Sequence, residues 1–326
     1  MTDPFDPHAS FEPDPALVPH LSGCRCALHA RRRFHATLVA AGAVAALPAL
    51  ARADGVVVPD RSSLGGLVPA DEIETAAAQQ YQQLLQQAAQ QHALAPRGHP
   101  QVVRLNAIAQ RLIPHVMAPN LKSTPRAANW RWEVNLIGSK QINAFCMPGG
   151  KIAFFYGLLD QLKLNDDEVS MVMGHEMAHA LREHARERMG KTAATNGLIE
   201  LGSALLGLGS GGRYLANLGG QLLTLRFSRE DEAEADKVGL DLAARSGYDP
   251  RAGVTLWEKM GNASKGAPPQ WLSTHPAGPA RIQEIQSNLP TVEPLYARAP
   301  KPTQRFEPPT PSQARSDVKD RGATTE

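Results

Sequence analysis

The chain has 326 residues, 34 Lys plus Arg against 32 Asp plus Glu, a net charge of +2, 42% hydrophobic but only 5% aromatic residues, and three cysteines. That length can bury an adequate core in one large or two modest domains without disulfide or metal staples, and the near-neutral charge gives no support to wholesale nucleic-acid binding, which needs a basic domain or stripe. With 20% charged residues and a mean hydropathy of −0.30, neither a polytopic membrane protein nor a wholly disordered chain fits.

Residues 1 to 30 are rich in Pro, Asp and His and lead into Arg31-Arg32-Arg33-Phe34, an apolar run to about Leu50, and Ala51-Arg52-Ala53. These are the three parts of a secretory signal, and Arg-Arg-x-Phe before a mild, Gly- and Ala-containing apolar run resembles a twin-arginine signal. The expectation is an exported, periplasmic protein cleaved after Ala53, with an N-terminal membrane anchor as the alternative. Cleavage would remove Cys24 and Cys26 and leave Cys146 alone, so no internal disulfide is expected.

Ala70 to Leu94, rich in Ala, Gln and Leu without Gly or Pro, reads as a helix, and Val102 to Val116 as a second, amphipathic one. Trp130, Trp132, Val134 and Leu136 alternate with polar residues, the period-two pattern of a strand. Gln141 to Cys146 and Lys151 to Tyr156 read as two more strands, so a small meander is expected. A helix should start near Gly157. Another should be capped by Asn165 with Glu168 in a capping box and run to Gly190. Gly197 to Leu225 is unusually rich in Gly and Leu and reads as a lid, a peripheral membrane contact or a buried helical hairpin. Pro290 to Glu326, with seven prolines among polar residues, reads as a flexible tail. The folded body is then residues 54–289, α+β and mainly α, with a small sheet beside the long helix.

His175-Glu176-Met177-Ala178-His179 places two imidazoles one helical turn apart on one face, able to converge on a single zinc. Glu176 is rotated to the side, where it can reach a water that such a metal activates. A metzincin would carry Gly and His where this chain has Arg182 and Ala185, so that class is excluded. Two acidic third ligands are open on spacing alone. One is Glu200. The other is Glu232, in Ser228-Arg229-Glu230-Asp231-Glu232-Ala233-Glu234-Ala235-Asp236, where Asp236 one turn on can support a metal-binding imidazole.

Four motifs resemble the HtpX and CAAX-prenyl-protease group of gluzincin zinc metallopeptidases, in particular its soluble periplasmic BepA-like branch. They are Asn143-Ala144-Phe145 with Pro148-Gly149-Gly150 and Gly157-Leu158-Leu159; Gly174-His175-Glu176-x-x-His179 with His184; Ser228 to Gly239; and Thr274-His275-Pro276 with Arg281-Ile282. The C-terminal helical-repeat domain common in that branch has no 34-residue period here.

The resemblance implies a zincin-type fold and one zinc per chain on His175, His179 and Glu232, with Asp236 in support and Glu176 as general base. It implies His275 over the metal, donating to the oxyanion or blocking the fourth position, and Arg281 orienting the substrate. It implies an edge strand at Ile152, Ala153 and Phe154, with Asn143, that pairs with extended substrates. His184 is expected to be structural, because its angle on a continuous helix points away from both metal histidines. The expected activity is endopeptidase cleavage of unfolded or misfolded envelope proteins, the alternative being a chaperone-like binding factor with a latched, weakly active zinc site.

Overall fold

The computed structural model describes residues 54–205, 225–263, 269–275 and 278–309, without the side chains of 196–205. The architecture is α+β and mainly helical, a three-stranded sheet among helices, as expected. The expected signal at 1–53, and all but the two ends of the 197–225 segment, lie outside the described residues.

Helix α1 (Ala70–Gln90) ends four residues before the expected Leu94, where His92 takes a positive φ of 51°. Helix α2 (Pro100–Leu112) starts at a His99 cap whose ring accepts the Gln101 N–H at 3.2 Å. Pro114 turns its end into a 3₁₀ segment.

The sheet comprises β1 (Glu133–Ile137), β2 (Ala144–Met147) and β3 (Lys151–Phe155). It is not the expected meander. Its order is β1-β3-β2, with β3 parallel to β1 and antiparallel to β2. The strand β3 is therefore central and buried on both faces. Ile152 and Phe154 pack into the main core with the long helices, while Ala153 and Phe155 pack under Ala77, Tyr81, Leu85 and Ala88 of α1. On β1, Ala95 donates its N–H to Leu136 and Gly138 donates to Ala93, which covers part of that outer edge. The strand β2 forms the other edge.

Helix α3 (Tyr156–Leu162) leads into α4 (Asp166–Leu181), which starts at the expected Asn165–Glu168 capping box. Every residue of α4 from Val169 to Leu181 is buried. The expected continuation to Gly190 is interrupted, since Glu183 sits at φ 58° and a new helix, α5 (His184–Leu205), begins there. Helix α6 (Arg229–Arg245) is capped by a reciprocal Ser228–Asp231 box. It crosses α4 at two glycines: a Cβ on Gly174 would lie 3.1 Å from Gly239 Cα, and one on Gly239 would lie 2.9 Å from the His175 backbone nitrogen. Only two missing side chains allow the helices to approach this closely.

Helices α7 (Ala252–Ala263), α8 (Gln270–Thr274) and α9 (Pro279–Arg298) complete the body. Residues 290–309 are not the expected flexible tail, and residues 310–326 lie outside the described residues. Helix α9 runs through Pro290 and Pro294, each costing about 3 kcal/mol in a helix interior. Burial of Val292 and Leu295, at about 1.5–3 kcal/mol each, offsets much of that, with Leu289 and Tyr296 packed alongside. Beyond the helix, Phe306 donates its N–H to Asp166 at 2.8 Å and the Glu307 carbonyl accepts from Gln101 at 3.1 Å. Among the described residues, no helix is long and apolar enough to cross a membrane.

Candidate metal centre

The two histidines of α4, the acidic face of α6, the end of α8 and the start of α9 meet at one buried point. One ligand atom from each of His175, His179, Glu232 and His275 lies within 4.8 Å of the others, and all four residues are buried. His175 Nε2 is 3.1 Å from His179 Nε2 and 3.2 Å from His275 Nδ1. Glu232 Oε1 is 2.9 Å from His275 Nδ1 and 3.6 Å from His179 Nε2. A tetrahedral zinc with bonds of about 2.0–2.1 Å has ligand atoms separated by about 3.3 Å, so these spacings fit.

The hydrogen bonds behind the ligands make the case on chemistry as well as geometry. His175 Nδ1–H donates to Asp236 at 3.0 Å, which leaves a lone pair on Nε2. His184 Nε2–H donates to Glu234 at 3.2 Å, so its Nδ1 accepts from His179 Nδ1–H at 2.9 Å. His179 Nε2 is then also a lone pair. Two lone pairs and a carboxylate aimed at one point repel each other unless a cation sits between them. Burial, followed by the neighbouring imidazoles, pushes the His179 pKa well down, in the direction of the neutral form that a metal needs.

The carboxylates are tuned in opposite directions. Burial raises the Glu176 pKa, and its Oε1 accepts a 2.6 Å hydrogen bond from the Trp271 indole. Burial also opposes the charge of Glu232, but the His275 hydrogen bond and nearby positive groups outweigh it and lower the pKa. At Asp236 the Arg281 guanidinium and the His175 bond likewise outweigh burial and hold the carboxyl at about 2.

Several site expectations change. Arg281 donates to Asp236 at 2.7 and 2.8 Å and to Glu232 at 2.6 Å, and its guanidinium lies 3.6 Å from the centre of the Trp257 ring. It braces both acidic residues. Ile152, Ala153 and Phe154 lie fully buried on the central strand, so they cannot add a substrate strand. Residues Asn143 to Pro148, on and beside β2, line the pocket at the metal ligands instead. His184 touches His179 because the helix breaks at Glu183 and does not carry it round to the far side. The Glu200 side chain lies outside the described residues, and among those described the acidic ligand is Glu232.

Trp271 and Phe227 escaped the sequence reading, and Glu234 stood in its acidic motif without a role. Phe227 stacks on His179 with ring centres 3.9 Å apart, and Glu234 also pairs with Arg182. The available signals were spacings: Glu234 is two residues beyond Glu232, and Trp271 is one helical turn before His275.

Comparison with known proteins agrees with this geometry. The chain is 34% identical over 203 residues to the mitochondrial metalloendopeptidase OMA1 of Schizosaccharomyces pombe, covering 61% of this chain and 56% of that protein. It is 41% identical over 161 residues to mitochondrial metalloendopeptidase OMA1 of Arabidopsis thaliana, covering 48% of this chain and 32% of the relative. The beta-barrel assembly-enhancing protease of Escherichia coli is 29% identical over 205 residues, 60% of this chain and 40% of the relative. The chain thus spans about half the length, or less, of these relatives. The family model for peptidase family M48 matches residues 99–289, which include every ligand of the buried cluster. By that match and by its metal-ready centre, the chain belongs to peptidase family M48.

Proposed function

We propose that the chain is a zinc-dependent endopeptidase that cuts extended segments of unfolded or misassembled envelope proteins after export to the periplasm. The observation that carries the reading is the convergence of four buried ligand atoms beside Glu176, a buried carboxylate with a raised pKa. A zinc ion held by His175, His179 and Glu232 would act as a Lewis acid toward the scissile carbonyl and make water nucleophilic near neutral pH. Glu176 takes the proton of the attacking water and passes it to the leaving amine. Trp271 holds Oε1 of Glu176 by its hydrogen bond and so fixes the angle of the carboxylate. The neighbouring edge strand β2 offers backbone groups for an extended peptide. Export is supported by the Arg31-Arg32-Arg33-Phe34 stretch and the apolar run after it. Misassembled envelope proteins are the substrate class that this location and the name of the Escherichia coli relative favour.

A second reading has its own support. His275 Nδ1 stands inside the ligand set, so with that nitrogen deprotonated His275 would complete the set beside His175, His179 and Glu232, the latched arrangement of a weakly active binding factor. Casein hydrolysis by the full chain, with chelator and then with zinc restored, separates the two. An endopeptidase loses activity and regains it. A latched factor shows no chelator-sensitive hydrolysis in the wild type and gains it in His275→Ala, whereas an oxyanion-donor His275 predicts that His275→Ala keeps zinc and loses most turnover.

A further inference from the structure

The metal centre is tied to a segment outside the helices that carry its ligands. Residues 54–61 precede residues 99–289 that the family model matches, yet Val56 and Val58 are buried in the main core with Val57 exposed between them. At one end of this strap the Val56 N–H donates to Asp241 of α6 at 3.0 Å, and Asn120 donates to the Val56 carbonyl at 3.1 Å. Gly55 stands at φ 109°, and a Cβ there would lie 1.9 Å from the Asp241 carboxylate, so only glycine permits this close seat. At the other end the Pro59 carbonyl accepts from Arg182 at 2.7 Å, and Arg61 pairs with Glu183.

Arg182 and Glu183 form the break between α4 and α5 that brings His184 against His179. Arg182 is buried, and a buried guanidinium must find acceptors for its fork of donors. It finds them in Pro59, in the Leu121 and Lys122 carbonyls at 3.2 and 2.7 Å, and in Glu234. Glu234 in turn accepts from His184, and His184 accepts from His179. A continuous chain of polar contacts thus runs from the Pro59 backbone through Arg182, Glu234 and His184 to a metal ligand. Each link fixes the next, because the guanidinium only donates and the carboxylate only accepts, which leaves His184 Nδ1 as the acceptor. Without Pro59, Arg182 would keep a buried N–H with no acceptor, and rehydrating it would draw the guanidinium away from Glu234.

We propose that residues 56–59 are a positioning strap for the metal centre, holding His179 in its metal-binding orientation through Arg182, Glu234 and His184. The strap also joins the end of α4 to α6, the helices that carry His175, His179 and Glu232. Its release loosens the centre while the rest of the body stays folded.

Release is produced in the full chain by Val58→Asp. A carboxylate at this buried position has no partner, so it stays in water and the strap lifts off, which faster amide exchange at residues 54–61 verifies. Zinc affinity is measured by competition with an indicator, and the visible bands of the cobalt-substituted protein report ligand geometry without turnover. Val58→Asp should weaken zinc binding about 10- to 100-fold and shift the cobalt bands. Arg182→Lys keeps the charge but loses the fork, and should do the same. Both variants cut one chain, so the double variant should bind within about threefold of the weaker single variant. Leu295→Ala removes buried apolar surface near the far end of α9, and should lower the melting temperature while keeping zinc affinity and cobalt bands. If Val58→Asp does not fold, Val56→Ala combined with Val58→Ala takes its place, with the same expected results. A released strap with wild-type zinc affinity and cobalt bands, losses that multiply in the double variant, or equal losses in Leu295→Ala overturn the proposal.

Discussion

At Glu176 a single indole N–H holds the carboxylate. Trp271 is fully buried, donates to the carboxylate at 2.6 Å and stacks on Trp257. Trp271→Phe keeps the ring and removes only the donor. A hydrogen bond to a charged group is worth about 1.5–3 kcal/mol, so kcat should fall about 10- to 100-fold with bound zinc unchanged, as read by peptide turnover alongside metal analysis. Asp236→Asn should do the reverse. It weakens the support of His175 and the anchor of Arg281, and loss of such a partner lowers metal affinity about 10- to 100-fold, measurable by competition with a zinc indicator. The sequence displayed His175, Glu176, His179 and Glu232 because their spacing is itself the chemistry. It did not display Trp271 or the His184–His179 contact, because one depends on where a separate short helix lands and the other on a helix break at Glu183.

At the scale of elements, the centre depends on how closely α4 and α6 approach. Gly239→Ala would put a Cβ 2.9 Å from the His175 backbone nitrogen, and such overpacking typically costs about 1–3 kcal/mol. The variant should melt at a lower temperature and bind zinc more weakly, because the shift separates Glu232 from His175 and His179. The first helix has its own anchor in Glu74, which accepts from Arg126 at 2.7 and 2.9 Å and from Trp130 at 3.0 Å. Burial opposes the Glu74 charge, but these donors outweigh it and bring the pKa below 4.5. A lowered carboxyl stabilises the fold above the unfolded value of 4.5 and loses that contribution as pH falls through the folded value. The melting-temperature gap between wild type and Glu74→Gln should therefore be widest near neutral pH and close as the solution is acidified below 4.5. Capping boxes and helix periodicity made the long helices readable. The order of the sheet was not readable in the same way, since strands adjacent in sequence need not pair. Even so, the unbroken apolar run Ile152 to Phe155 is the mark of a strand covered on both faces, and it argued against an edge.

For the whole molecule, the prolines after residue 289 gave the least reliable signal. Composition predicts disorder only where a segment has too little to bury, and Val292 and Leu295 reach the core. Truncation after Asn288 should therefore lower the melting temperature. The centre draws on α4, α6, α8 and α9, so metal binding and global stability are coupled. Peptide-bond hydrolysis at this buried cluster, with Glu176 proposed as the base, is decided by comparing casein cleavage by wild type and Glu176→Gln at equal bound zinc. The variant should keep its zinc and lose at least about a hundredfold in rate, within the range that general-base catalysis contributes. Equal rates at equal zinc, or no cleavage by the zinc-loaded wild type, would rule this mechanism out.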